Sequence, residues 1–278
     1  MKKCKGVLKV LFLAVVLLPF LFAASGEKVI RLATTTSVDN TGLLDYLAER
    51  FHKDTGIKLQ WVAVGTGKAL RLAREGNADL VWVHCKKLEQ EFLREGYGVK
   101  RRVIARNYFI IVGPGSDPAG VKQASSLKEA LLRIKSSGVP FISRGDGSGT
   151  HQKELYLWSL VGGKPEKNYL ETGQGMAQTL RVTQEKQAYT LCDTGTFYGI
   201  KGISGLVPVF SGSPELENIY SVIAVNPFKW KNAHYQLAMR FIAWITSPVG
   251  QELLRNYKRE GKILFEPIAD IPGVDLVK

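Results

Sequence analysis

The chain is poor in sulfur and in histidine: its 278 residues include three cysteines, three methionines and four histidines. Cys4, Cys85 and Cys192 form no CxxC pair and no Cys/His cluster, which argues against a metal site built on that spacing. There is no linker rich in Pro, Gly and Ser, no internal repeat and no low-complexity tract. Acidic residues are few, 25 against 38 Lys and Arg, for a net charge of +13. No basic–aromatic motif accompanies that charge, so no nucleic-acid partner is expected. The positive balance is either a field that gathers small anions or a solvated surface. Long apolar runs are missing as well, except at the N-terminus.

There, Lys2, Lys3 and Lys5 precede an apolar stretch over 10–24, followed by the small residues Ser25 and Gly26. Positive, apolar, small is the order of a secretory signal peptide. The stretch is short beside the roughly 20 residues of a spanning helix. Residues 1–24 are therefore expected to be a signal peptide, cut after Ala24, Ser25 or Gly26, and the mature protein to be periplasmic or otherwise extracytoplasmic. Cys4 lies ahead of the apolar run and is not placed to be a lipoprotein anchor, which favours a periplasm. Cleavage would remove four lysines and no acid, leaving +9. Cys85 and Cys192 remain, either as a disulfide or as two buried thiols.

The remaining chain alternates apolar runs with helical periodicity, which predicts an α/β fold. Strands are expected over 29–33, 59–64, 79–84, 108–112, 139–143, 189–192 and 220–225. Helices are expected over 41–52, 67–74, 88–95, 127–135, 152–160, 176–182, 234–245 and 249–257, the first capped by Asp39 or Asn40.

The most informative stretch is Ser143-Arg144-Gly145-Asp146-Gly147-Ser148-Gly149-Thr150, a glycine-rich turn between an expected strand and an expected helix. That geometry presents backbone N–H groups to an anion. Arg144 adds a permanent forked charge; Ser148 and Thr150 add hydroxyls. A second strand–turn–helix carries Thr34-Thr35-Thr36-Ser37, and Gly65-Thr66-Gly67 opens a third helix. Ser148, His151 and Asp146 lie too close in sequence for a hydrolase triad, and no G-x-S-x-G elbow is present, so an enzyme is not expected.

Five segments, 32–37, 62–67, 143–151, 172–176 and 223–227, occur in an order that resembles the tungstate-binding proteins of bacterial and archaeal ABC transporters. The resemblance runs from about Val29 to about Tyr257. It implies a two-lobed periplasmic binding protein, each lobe a mixed sheet flanked by helices, with the ligand between lobes and closure by hinge bending. Crossings near 113–118 and 211–220 divide the chain into a discontinuous first lobe, 25–112 and 219–278, and a second lobe, 113–218. The implied ligand is tungstate or molybdate, a tetrahedral dianion, and the implied partner is a membrane permease with its ATPase. A monomer without a cofactor is expected.

Such a dianion needs many donors and few nearby acceptors. Thr36, Ser37, Thr66, Gly67, Arg144, Ser148 and Thr150 are the expected ligand residues, with Thr35, Gly173 and Gln174 as lesser candidates. Asp146 is expected to hold Arg144 in orientation, since a carboxylate facing a dianion repels it. His151 is expected to pack or to face water rather than bind. Phosphate-binding proteins carry a very similar Arg-x-Asp-Gly-Ser-Gly-Thr turn, so a phosphate carrier is the rival reading, and an exported oxyanion sensor another. Phosphate keeps a proton near neutrality and profits from an acceptor, and no extra acid is obvious in these turns apart from nearby Asp39.

Overall fold

The computed structural model describes residues 27–259 and 261–276. The expected signal peptide lies outside the described residues. The first part runs β1 (Lys28–Thr35), α1 (Thr36–Asp39), α2 (Leu43–Thr55), β2 (Ile57–Val64), α3 (Thr66–Arg74), β3 (Leu80–Val83), α4 (Lys86–Arg94) and β4 (Gly98–Pro114). Then follow α5 (Leu127–Ser137), β5 (Phe141–Ser143), α6 (Gly149–Ser159), β6 (Tyr169–Glu171), α7 (Met176–Glu185), β7 (Thr190–Asp193), α8 (Thr194–Gly199) and β8 (Leu206–Phe210). The chain returns through β9 (Glu217–Val225) to α9 (Tyr235–Thr246), α10 (Pro248–Asn256), β10 (Lys258–Arg259), β11 (Lys262–Ile263) and β12 (Glu266–Pro267).

β2, β1 and β3 are parallel neighbours; β9 pairs antiparallel with β3, and β4 antiparallel with β9. The parallel strands all end at one edge, and their last residues lead into α1, α3 and α4. In parallel α/β sheets ligands gather beyond that carboxyl edge.

β4 changes partners midway. Gly98–Tyr108 lies against β9, whereas Phe109–Pro114 pairs with β7 and β8. The hydrophobic cores divide at the same place. Two clusters draw on residues between Ile30 and Ala105 and beyond Tyr220, and two others on residues between Phe109 and Leu216. β4 exchanges β9 for β7 and β8 at Tyr108–Phe109, and the chain comes back to β4 at Glu217, the first residue of β9.

Two expectations fail for identifiable reasons. β4 is a 17-residue strand rather than a short one over 108–112. Its first half carries Lys100, Arg101, Arg102 and Arg106, and its pairing register shifts between Val99 and Arg102 and again between Val103 and Ala105. Bulges of this kind break the period of two on which strand patterns depend. The cap of α2 is Gly42, at φ +73°, rather than Asp39 or Asn40. Asp39 instead accepts from Trp61 Nε1 at 2.7 Å. Strands β6 and β8 were not apparent in the sequence; β6 is three residues of an otherwise exposed segment.

Cys85 and Cys192 are free, buried thiols in different halves of the molecule. Burial pushes both above the ordinary thiol range. Among the described residues no helix is long and apolar enough to cross a membrane.

Candidate oxyanion-binding cleft

The two glycine-rich turns meet across the cleft. A Cβ on Gly65 would lie 3.7 Å from Ser148 Cβ, and one on Gly67 would lie 3.8 Å from the Gly147 carbonyl. A Cβ on Gly149 would lie 3.0 Å from Thr66 Oγ1 and 3.1 Å from His84 Cε1. The start of α3 therefore faces the start of α6 at contact distance. Each helix leaves its first N–H groups without intrahelical acceptors and carries a positive dipole end. Two opposed positive ends have a common solution, an anion between them.

Side chains reinforce the backbone. Thr66 Oγ1, Thr150 Oγ1 and Arg144 Nε are buried without a hydrogen-bond partner among the described residues. All three are donors, and burying a donor without an acceptor costs about 1–3 kcal/mol each. Arg144 is only 4% exposed. Its Nη2 donates to Asp146 Oδ2 at 2.6 Å, and Asp146 Oδ1 accepts from the Ser148 amide at 3.1 Å. Both carboxylate oxygens are thus engaged. The Arg144 charge and the Ser148 donors hold the Asp146 carboxyl below its usual range against the upward push of burial.

The other expected residues fall around this centre. Ser148 Oγ caps α6, accepting from the His151 amide at 3.3 Å. Thr35 and Ser37 are buried, their hydroxyls 2.9 Å apart. Thr36 opens α1 and is half-buried, and Gly67 is exposed at the second residue of α3. Gly173 and Gln174 are exposed and join the Arg144 turn through Thr172, whose hydroxyl donates to the Arg144 carbonyl at 3.3 Å. His151 packs on its own turn, with Nδ1 accepting from the Gly147 amide at 3.0 Å. Thr34 points away from Thr35 and donates to the Trp82 carbonyl at 2.9 Å.

Several residues were missed by sequence reasoning. Ser37 Oγ lies 3.0 Å from His84 Nε2, and His84 Nδ1 lies 3.0 Å from Asn218 Oδ1. Asn218 Nδ2 donates to Asn107 Oδ1 at 2.8 Å and to the Tyr220 hydroxyl at 3.0 Å. Asn107 Nδ2 donates to Asp193 Oδ1 at 3.3 Å. Asn107 and Asn218 face each other on the two strands that join the halves. His84 had one usable signal, its place at the carboxyl end of a strand parallel to the one ending in Thr35. The asparagines had none, because only the register of β4 on β9 brings them together.

Glu154 was missed as well. It is 3% exposed and accepts from Ser143 Oγ at 2.7 Å and from the Tyr169 hydroxyl at 2.6 Å, bracing the strand end that carries Arg144. Burial raises its pKa from 4.5 to about 7. Between those values the folded state binds more protons than the unfolded chain, so this group costs stability as pH rises. Glu154→Gln is expected to gain on the native protein over that window, by about 3 kcal/mol at pH 8 and by nothing below pH 4. Urea unfolding at pH 5 and pH 8 checks this; an equal difference at both refutes it.

The fold agrees with the comparisons to known proteins. A model of the PBP superfamily domain matches residues 23–249. The chain belongs to that superfamily. It is 45% identical over 243 residues to the tungstate-binding protein TupA of Peptoclostridium acidaminophilum, covering 86% of this chain and 85% of that one. It is 44% identical over 235 residues to TupA of Campylobacter jejuni, covering 82% and 87%. The solved structure of TupA from Desulfovibrio alaskensis superposes with a TM-score of 0.76 at 43% identity, over 87% of this chain and all of that one. Likeness at this level over most of both chains places this chain in the family of these binding proteins, with their two-lobed fold.

Proposed function

We propose that this protein captures a fully deprotonated tetrahedral oxyanion, tungstate or its near twin molybdate, outside the cytoplasm and delivers it to the permease of an ABC transporter. The observation that carries the reading is the set of buried donors without acceptors, Thr66 Oγ1, Thr150 Oγ1 and Arg144 Nε, around two opposed helix starts. Neutral hydroxyls and amides bind a dianion without excess countercharge, and one arginine supplies the charge-assisted contact. The tungstate-binding relatives support the choice of ion.

A phosphate site would be served by a free acceptor for the proton that phosphate retains. The carboxylate in the turn, Asp146, has both oxygens engaged, and nearby Asp39 is bonded to Trp61. Asp193 Oδ2 is a buried acceptor without a partner among the described residues, but it stands behind Asn107 rather than in these turns; the tungstate-binding relatives support the preference for tungstate over phosphate. We assign Gly98–Tyr108 and the strands around it to one lobe and 109–216 to the other, with the exchange points as the hinge. A monomeric mature protein, freed of residues 1–24 by a signal peptidase, completes the proposal.

Calorimetric titration with tungstate, molybdate, sulfate and phosphate tests it. Tungstate is expected to bind tightly, and sulfate and phosphate weakly or not at all. Tighter binding of phosphate than of tungstate would overturn the assignment.

A further inference from the structure

The chain of polar side chains behind the cleft has a fixed direction, set at its far end. Asp193 Oδ1 accepts both the Thr196 amide at 2.8 Å and Asn107 Nδ2 at 3.3 Å, and it remains an acceptor whatever the state of Oδ2. Asn107 must therefore turn its amide nitrogen to Asp193 and its oxygen to Asn218. Asn218 then donates to Asn107 and to Tyr220, which leaves its oxygen facing His84 Nδ1. That oxygen is satisfied only if Nδ1 carries a proton. In a neutral ring Nε2 then bears the lone pair and takes the single proton of Ser37. The Ser37 proton is then committed to the ring, and its oxygen, 2.9 Å from the Thr35 hydroxyl, is left only to accept, so Ser37 has no proton to give a dianion.

The conflict is removed if Nε2 also carries a proton. The imidazolium donates from Nδ1 to Asn218 and from Nε2 to Ser37 Oγ, and with Thr35 donating to the same oxygen the Ser37 proton is free for the anion. On this basis, and resting on the oxyanion reading of the cleft, we infer that His84 is a positioning residue that sets the donor direction of Ser37 and takes up one proton from solvent when the anion binds. His84 acts through the hydroxyl and the charge; it is not itself placed as a contact to the anion.

The surroundings fit a ring that is neutral without the anion and charged with it. His84 is buried, its edge against Gly149 of α6 and its face 4.8 Å from the Tyr220 ring of β9. The Phe109 ring of β4 lies at 6.4 Å, and Cys85 follows in the chain as a protonated, buried thiol. The positive groups facing it are Arg144, from the turn after β5, and Lys153 of α6, whose Nζ is bonded to the carbonyls of Glu215 and Glu217. The Arg144 charge is matched by Asp146, and the Glu217 carboxylate by Arg106. The negative group at the far end of the chain is Asp193, whose own carboxyl burial pushes upward. Burial, with Arg144 and Lys153 adding to it, lowers His84 to about 4, so the ring is neutral in the free protein near pH 7. A dianion at the helix starts opposes all of these and favours the charged ring.

The sign follows from linkage. A group that gains a proton on binding makes the complex tighter as pH falls, by up to tenfold per pH unit between the free and bound pKa values. The test is calorimetric titration of the protein with sodium tungstate at pH 6.5 in buffers of different ionisation enthalpy. The apparent enthalpy is expected to vary with buffer by a slope approaching one proton taken up per ligand. Glutamine can offer Ser37 an amide N–H without a proton, so His84→Gln is expected to bind more weakly but with no buffer dependence. Imidazole nitrogen shifts of labelled histidine supply a second readout that needs no variant: Nδ1–H neutral in the free protein, both nitrogens protonated in the complex. Tungstate binding with no buffer dependence, or a dependence unchanged in His84→Gln, overturns this inference and leaves the oxyanion reading standing. Absence of any tungstate binding overturns both.

Discussion

Arg144→Ala is expected to lose tungstate binding by two to four orders of magnitude. The guanidinium is buried, one of its nitrogens is without a partner and another holds Asp146. Truncation therefore does two things. It removes the charge-assisted donor facing the anion, and it frees a carboxylate beside the site that then repels the same anion. Breaking one partner of a buried charged pair at a binding site costs about 2–5 kcal/mol. At about 1.4 kcal/mol per factor of ten, that cost spans most of the expected range, and the repulsion adds to it. Arg144→Lys keeps the charge and loses the fork, so it belongs between the native protein and alanine. Calorimetry gives the affinities, and thermal unfolding establishes that the variants are folded. A folded Arg144→Ala protein that binds within tenfold of the native one contradicts the site.

Gly149→Val is expected to weaken binding by roughly 5- to 150-fold while leaving the free protein folded, because overpacking of this kind costs about 1–3 kcal/mol. Gly149 starts α6 in an ordinary helical conformation, so its lack of a side chain is not needed for the backbone there. It is needed for the approach of the two turns. Its Cβ position already sits 3.0 Å from Thr66 Oγ1 and 3.1 Å from the buried His84 ring. A single methyl meets a hydroxyl that can rotate, so Gly149→Ala is expected to lose less. The two further carbons of valine meet a ring pinned by Ser37 and Asn218 and hold the helix starts apart. If the halves close on the ligand as proposed, the strain arises on closure and acts on ligand affinity rather than on folding. Affinity of the valine variant within threefold of native would show that the approach of these turns does not govern capture.

The donor turns were legible because their chemistry is local. Ser148 caps its own helix, Asp146 reaches back two residues to Arg144, and Thr35 and Ser37 are two residues apart. Contacts of that range are carried by neighbouring letters, and glycine marks where the backbone must be bare. Most strands and helices were legible for the same reason, within a few residues at their ends. The first half of β4 was not, because its bulges and basic residues hide a strand whose other edge is covered only in the fold.

From residue types and spacing came the α/β class and the expectation of a donor-rich anion site with Arg144 as its charged centre; the family likeness rested on the resemblance of five segments taken in order. The tertiary structure alone decided where β4 changes partners, which hydroxyls stay without acceptors, and how His84 is wired through Asn218 and Asn107 to Asp193. Those contacts join residues 47, 134, 111 and 86 positions apart. The direction of a hydrogen-bond chain depends on what each member faces, and facing is a property of packed strands rather than of neighbours in sequence.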